Sequence, residues 1–552
     1  MDPITELPPF KDGQELIDFF LEEQQDLTAI DRFSKLHDQG FVDKKSIYSE
    51  LIPSTKPAEN QQLSFEVDLD ACTGCKACVT GCHSLNGLDD EETWRDVGLL
   101  LGLSKDEPYQ QTITTACHHC TDPACLSGCP TLAYEKDPET GIVRHLDDQC
   151  IGCQYCVLKC PYDVPKYNES LGIVRKCDMC HQRLESNEAP ACVQACPNKA
   201  IKIKIVDIED INSRKDELSF LPNAPSPEYT KPSTIYKTTK IIPKIKSADY
   251  KKIKPEHSHL PLVFMLILTQ ASVGCYLFSG SFSLLNSSLW KFAFTFFGIF
   301  TLISIHVAIL HLGRPLYAYR AVLGYKKSWL SREIIAFGVL AGMSTMLMTL
   351  PWINQLKEFG LPIPNLNMPQ LIMMGNYSCA VVGILAIACS VMVYHDTKRS
   401  FWNWKSASLK FFGTMIILGS SISNLILLSY LTQDEFIKIA FVLNFLVGSV
   451  ILIIKLKHES SLLSLCDQSN SVNHGSAVVT KEYFHQFFKI RHAMAFLGGM
   501  INLCVLASLF SGGGTNLIPL GAIALIFLFI GEFMERYLFF KTVIKLKMPG
   551  GI

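Results

Sequence analysis

Apolar residues are spread unevenly along the chain. From Pro261 onward they gather into eight runs, at about 261–280, 289–312, 333–352, 370–394, 409–431, 435–456, 492–511 and 516–540, with short polar segments between them. Each run is near the roughly 20 residues that a helix needs to cross a hydrocarbon core. A helix also satisfies its own backbone hydrogen bonds there. The pattern predicts an all-α polytopic bundle of eight transmembrane helices over 260–552. Upstream, the apolar runs shrink to short β-prone stretches at 65–67, 112–114, 142–144, 173–175 and 201–206, set among turn residues. Residues 1–62 form an acidic, polar extension in which Ile17, Phe20, Leu21, Leu27, Ile30 and Phe33 approximate one helical face. That face suits a helix covering the neighbouring domain, or a docking arm. The extension shows no cationic start, apolar run or twin arginine of an export signal. Residues 207–259 carry Pro222, Pro225, Pro227, Pro232, Pro243 and Pro255 and end in lysines, as expected of a linker that stops at a membrane surface.

Composition changes this picture little. Of 552 residues, 48% are hydrophobic and only 18% charged, and the net charge is −2. A simple soluble enzyme is excluded, and no basic excess points to nucleic acid. The position of the charges says more. Lysine and arginine crowd one set of inter-span segments (the lysines of 237–254, Arg314, Arg320, Lys326, Lys327, Arg332, Lys398, Arg399, Lys405, Lys410, Lys455, Lys457, Lys481, Lys489, Arg491, Arg536, Lys541, Lys545 and Lys547). The opposite segments hold only Lys291, Lys357 and Lys438. By the positive-inside rule, both termini and the region before the spans are expected on the cytoplasmic side of a bacterial inner membrane.

That region, 63–206, holds sixteen of the 21 cysteines. They fall into four groups: Cys72-x2-Cys75-x2-Cys78-x3-Cys82; Cys117-x2-Cys120-x4-Cys125-x3-Cys129-Pro; Cys150-x2-Cys153-x2-Cys156-x3-Cys160-Pro; and Cys177-x2-Cys180-x11-Cys192-x3-Cys196-Pro. A C-x2-C-x2-C loop can wrap three corners of an iron–sulfur cube, while the fourth cysteine starts a helix and ligates another cluster. Sixteen thiolates match four 4Fe–4S clusters with none left over. Zinc is the competing ligand for C-x2-C pairs, but triple loops ending in x3-C-P do not resemble zinc ribbons. Disulfides do not suit the inferred compartment. Cys275, Cys379, Cys389, Cys466 and Cys504 are scattered and read as small core residues.

A cluster chain conducts electrons. A membrane bundle attached to it needs an apolar slot, a base and a proton exit if it is to exchange electrons with a quinol. Candidates gather at the positive ends of the spans: His311 in HLGRP, followed by Arg314; Glu333 in WLSRE; and Glu532, Glu535 and Arg536 in GEFMERYLFF. Plainer readings exist for each. His311 can cap a helix C-terminus, Glu333 can sit at a helix N-terminus, and Glu535 and Arg536 can snorkel to the interface.

The stretch CTGCKACVTGCHSLN to CVQACPNKAI resembles the four-cluster electron-transfer subunit of the dimethyl sulfoxide reductase family of molybdoenzymes. Residues 257–551 resemble that family's membrane anchor, through HLGRP, LSRE, VYHDT at 393–397 and GEFMERYLFF. The resemblance implies a fusion of two subunits, with an α+β ferredoxin-like domain followed by the bundle. It implies cluster ligand sets Cys72/Cys75/Cys78/Cys196, Cys82/Cys177/Cys180/Cys192, Cys117/Cys120/Cys125/Cys160 and Cys129/Cys150/Cys153/Cys156. Cys153 stands where nitrate reductase relatives lose a cysteine, which again implies four cubanes. It also places the family's menaquinol-binding histidine on His311, implies no haem, and implies a separate molybdopterin catalytic subunit that holds the substrate-reducing site. The cluster subunit of a well-known relative lies on the outer membrane face, whereas the charge pattern here predicts the cytoplasmic one. Flow from a dehydrogenase such as formate dehydrogenase to quinone, and a non-catalytic redox sensor, are the other readings. Iron and acid-labile sulfide analysis of the anaerobically reconstituted chain is expected to return about sixteen of each; far fewer would overturn the cluster reading.

Overall fold

The structure is a computed structural model. It describes residues 49–550 apart from 103–108, 216–218, 240–244, 250–254, 280–288, 354–367, 430–434, 469–470, 472 and 512–516. Of the first 48 residues it describes only 13–15, 17, 34–35 and 38–39. Ile17 of the expected N-terminal helix face is exposed, and the other residues of that face lie outside the described residues.

The cysteine domain is built on two small sheets and two hairpins. β1 (Gln61–Asp68) lies between β8 (Ile201–Asp207), antiparallel, and β9 (Ile235–Lys237), parallel. β2 (Asp96–Gly102) lies between β3 (Gln110–Thr115) and β10 (Ile245–Ser247), both antiparallel. The hairpins are β4 (Tyr134–Lys136) with β5 (Val143–His145), and β6 (Lys166–Asn168) with β7 (Ile173–Arg175). The helices of this domain are short: α1 (Ala77–Leu85), α2 (Ala124–Gly128), α3 (Tyr155–Lys159), α4 (His181–Glu185), α5 (Ala191–Gln194) and α6 (Ile208–Ser213). All five β-prone stretches lie in or overlap strands. The expected linker, 207–259, instead carries α6, β9 and β10. Its prolines fall between these elements rather than in them, so the strands can complete the open edges of β1 and β2.

Among the described residues, eight helices are long and apolar enough to cross a membrane. They are α7 (Leu260–Phe278), α8 (Leu289–His306, continued as a tighter turn over Val307–His311), α9 (Trp329–Thr349), α10 (Met368–His395), α11 (Trp404–Leu428), α12 (Glu435–Leu463), α14 (His485–Phe510) and α15 (Ile518–Lys541). The short α13 (His474–Tyr483) joins α12 to α14. α7 packs on α11, α9 on α10 and α14 on α15. Gly274 of α7 and Gly419 of α11 meet backbone to backbone, with no room for a Cβ on either. Lipid provides no hydrophobic drive for helix association, so such close crossings and interhelical hydrogen bonds carry it. Tyr276 OH lies 2.5 Å from Ser344 Oγ, and Asn376 donates to the Tyr276 carbonyl at 2.6 Å.

After α15 the polypeptide returns to the cysteine domain. Met548 is buried in that domain's core, Lys545 pairs with Asp163 at 2.7 Å, and Leu99 N–H donates to the Gly550 carbonyl at 3.3 Å. Both ends of the eight-helix bundle therefore lie on the cysteine-domain side, as an even number of spans requires.

Five of the cations counted toward the positive side are not at the surface; one, Arg399, is buried against Glu256 at 2.9 Å. Lys410 of α11, Lys455 of α12, Arg491 of α14 and Arg536 of α15 are buried inside the bundle with Glu459, Glu532 and Glu535. Lys455 meets Glu532 at 2.5 Å, Arg491 lies 2.9 Å from Glu532, and Arg491 grips both oxygens of Glu459 at 3.1 Å. Arg536 donates to Gln270 at 3.1 Å. The plainer reading of Glu535 and Arg536 as snorkelling residues does not hold, because neighbouring helices bring counter-charges to them. Glu532→Ala would leave four buried cations facing two carboxylates. It is expected to cost about 3–5 kcal/mol, read as a lower thermal midpoint in detergent; an unchanged midpoint would contradict the network.

Candidate functional site

The two ferredoxin-type loops repeat one conformation. Gly74 and Gly152 have φ of 73° and 69°, and Lys76 and Gln154 have 64° and 57°. These left-handed turns curl each C-x2-C-x2-C segment around a centre, and glycine takes the first of them without strain. Cys78 and Cys82 both lie in α1; Cys156 lies in α3 and Cys160 caps its end. The fourth cysteine therefore does not start the helix. The helix begins beside the third, because an x3 spacing places both on one helical face a turn apart.

The structure gathers the thiols into four groups. Cys72, Cys75, Cys78 and Cys196 line one hollow, and Cys117, Cys120, Cys125 and Cys160 another. Cys82 lies near Cys180 and Cys192, and Cys177 lies near Cys82, Cys192 and also Cys117; Cys129, Cys150, Cys153 and Cys156 are mutual neighbours. Among the described residues, no three His, Cys, Asp or Glu side chains converge on a point as one metal ion would require. Thiols ringing a hollow suit a polynuclear cluster better than zinc. Backbone N–H groups of Ala133, Ala200 and Gly152 point at the sulfurs of Cys129, Cys196 and Cys150, at 3.2, 3.3 and 3.4 Å. Buried Arg95 lies near Cys78, Cys82, Cys177 and Cys192, and buried Lys176 near Cys117, Cys125 and Cys177. Such donors and cations stabilise anionic thiolates and tune a cluster's potential.

The third cysteine loop docks on the membrane bundle. Arg314 N–H donates to the Ile151 carbonyl at 3.1 Å, and Gly324 N–H to the Pro130 carbonyl at 2.7 Å. The guanidinium groups of Arg314 and Arg320 reach the carbonyls of Asp147 and Asp148 at 2.8 and 2.6 Å. Tyr155 OH donates to the Val393 carbonyl at 2.8 Å, and Lys159 pairs with Asp396 at 2.5 Å. At the centre, Gly152, Gly172 and Gly313 touch; a Cβ on Gly172 would lie 2.6 Å from the Gly313 carbonyl oxygen.

Behind that seam lies a cavity of about 300 Å3 with mostly apolar walls. It is lined by His311, Glu333, His259, His306, Tyr155, Tyr394 and, on the cysteine-domain side, Cys153 and Gln154. His311 and Glu333 are thus brought to one chamber. His311 ends the Val307–His311 turn and is close to the Cys153 backbone. Glu333 is buried and accepts a hydrogen bond from Ser390 of α10. It lies beyond the first turn of α9, so the helix N-terminus does not account for it. Glu532, Glu535 and Arg536 belong to the separate buried network rather than to this wall. His259, Tyr155 and Tyr394 were not foreseen. The His-x-His pair directly before the first span was the available signal for His259. Its ring centroid lies 5.0 Å from that of His311. Burial, with His311 and His257 close by, holds His259 far below the usual imidazole range, at about 3, so it is neutral.

The fold and these sites define a membrane-embedded iron–sulfur electron-transfer protein. Residues 109–206 match the family described as a 4Fe-4S dicluster domain, and residues 255–541 match the DMSO reductase anchor subunit (DmsC) family. The protein belongs to the DMSO reductase anchor subunit family, with an iron–sulfur domain like the B subunit of DMSO reductase fused ahead of the anchor. The B subunit of the anaerobic dimethyl sulfoxide reductase of Escherichia coli K12 is 34% identical over 184 residues, covering 32% of this chain and 88% of that protein. The hydrogenase-2 operon protein HybA of Escherichia coli O157:H7 is 37% identical over 172 residues, 26% of this chain and 52% of that protein. The formate dehydrogenase iron–sulfur subunit of Haemophilus influenzae is 31% identical over 179 residues, 29% of this chain and 57% of that protein.

Gly313→Ala is expected to part the seam. The Arg314 amide, bonded across it to Ile151, should then exchange its hydrogen at least about tenfold faster. Unchanged exchange at that amide would show that the glycine contact does not hold the domains together.

Proposed function

We propose that the chain carries electrons from menaquinol to a separate molybdopterin-containing reductase subunit in anaerobic respiration. The observation that supports this most directly is the shared wall: the cavity holding His311 and Glu333 is closed on its other side by Cys153. A quinol head group there lies next to a ligand of the cluster set Cys129, Cys150, Cys153 and Cys156. The remaining sets, Cys117/Cys120/Cys125/Cys160, Cys82/Cys177/Cys180/Cys192 and Cys72/Cys75/Cys78/Cys196, continue the path to Cys75, the exposed member of the sixteen. Four 4Fe–4S clusters, when bound, supply one-electron steps.

The chain's own residues do the rest. His311 and Glu333 bind the two quinol hydroxyls from opposite sides and accept their protons. The apolar walls hold the ring and exclude water. Arg314, Arg320 and Lys159 fix the cysteine loop against the cavity. The surplus of lysine and arginine on the cysteine-domain side supports a cytoplasmic position for that domain and both termini in a bacterial inner membrane. It persists when the five buried cations are left out. The likeness to a formate dehydrogenase subunit favours the reverse flow, from a dehydrogenase to quinone, as the second reading.

Everted membrane vesicles, which expose the cytoplasmic face, test the proposal with a short-chain naphthoquinol and the impermeant oxidant ferricyanide. The unaltered chain is expected to reduce ferricyanide. His311→Ala and Glu333→Gln should each lower the rate by about a hundredfold, with dithionite reduction of the clusters unchanged. Wild-type rates in both variants would remove the site assignment, and activity confined to right-side-out vesicles would remove the orientation.

A further inference from the structure

Oxidation of a quinol breaks two O–H bonds and releases two electrons and two protons, leaving the quinone. The electrons pass to the cysteine-held clusters. The protons must reach water from a chamber whose walls are mostly apolar; Glu333 is buried and His311 is half-buried.

Three imidazoles line up from the chamber to the outside. The His311 and His259 ring centroids lie 5.0 Å apart at 81°, and those of His259 and His257 lie 5.0 Å apart at 69°. His259 is 6% exposed and lines the cavity, whereas His257 is exposed. Each neighbouring pair of rings stands in edge-to-face contact. His259 is also held unusually. It is the residue before α7, at φ 44°, a left-handed conformation costly for a side chain of this size. It makes no side-chain capping bond to the helix. Its ring instead stands between His311 and His257, where its own backbone N–H donates to His257 Nδ1 at 3.3 Å. The surroundings favour a neutral ring there. Arg399 and Lys541 lie close, Arg399 is paired with Glu256 at 2.9 Å, and Phe540 packs at 6.0 Å.

We propose that His259 and His257 form the proton path between the quinol cavity and the aqueous surface on the cysteine-domain side. A neutral imidazole has one acceptor and one donor nitrogen. His259 accepts the proton released in the cavity at one nitrogen and gives up the proton of the other toward His257. His257 passes it to water, and rotation of the ring restores the starting tautomer. Each oxidised quinol uses the path twice, and in the reverse reaction the same path delivers two protons. The path opens on the side where the electrons leave, so turnover moves no net charge across the bilayer.

This inference rests on the quinol reading above. The test is stopped-flow reduction of the clusters by a short-chain naphthoquinol, in membranes carrying the full chain. His259→Ala is expected to slow reduction by about a hundredfold while quinone affinity stays within about twofold. Added imidazole should restore most of the rate. His257→Gln, at an exposed position, should slow the reaction less and respond to imidazole in the same way. If His259→Ala does not assemble, His257→Gln carries the same test. Wild-type rates in the assembled variants, or a loss that imidazole does not repair, would overturn the path. Failure of naphthoquinol to reduce the clusters of the unaltered chain would instead remove the quinol reading, and the path with it.

Discussion

Gly152 and Gly172 of the cysteine domain and Gly313 of the membrane domain bring their backbones together where any side chain would hold them apart. Gly152 lies inside the C-x2-C-x2-C loop, between Ile151 and Cys153, and Gly313 follows His311 by two residues. The contact therefore sets the distance between Cys153 and the chamber where His311 stands. Electron transfer falls off steeply with distance, so this seam is the constraint on which the arrangement depends. Arg314, Arg320, Tyr155 and Lys159 hold it in register, and the tail around Met548 clamps the two domains from the other end.

The same logic explains what the membrane domain does with its charges. Seven ionised side chains inside a bilayer are expensive unless each finds a partner. Lys410, Lys455, Arg491 and Arg536 face Glu459, Glu532 and Glu535 across four helices, so the network locks α11, α12, α14 and α15 in one arrangement. Glu333 stands apart from these ion pairs and has a hydroxyl partner in Ser390. A carboxyl without a cation nearby is the one suited to take up and release a proton. The division between a paired network that holds the bundle and a lone carboxyl in the chamber is one of environment, not of residue type.

Under the proposed function, electrons and protons part company at the cavity. The sulfur-lined hollows lead away through the cysteine domain. The imidazoles of His259 and His257 lead sideways to water along the boundary between the domains. Both routes start within one chamber because the polypeptide folds its first span, its second and the third cysteine loop around the same point.

Much of this was legible along the chain. Runs of about 20 apolar residues have few alternatives to a spanning helix, and all eight formed, although α12 runs on to Leu463 and α14 starts at His485, well outside the expected 456 and 492. The cysteine spacings marked their loops, but which distant cysteine joins each loop came from the resemblance and not from local geometry. HLGRP, LSRE, VYHDT and GEFMERYLFF were visible as strings, but not as a seam, a cavity wall, a docking strip and an ion network. Periodicity cannot show which side chains from distant helices meet. For the same reason Glu535 and Arg536 read as interface residues, His259 passed unnoticed, and the proline-bearing 207–259 segment read as a linker although β9 and β10 complete the sheets. The sequence by itself determined the elements and the ligand chemistry, because both depend on near neighbours along the chain. Only the tertiary structure decided which charges are paired, which carboxyl is left alone and which histidines line up, because those depend on contacts between residues hundreds of positions apart.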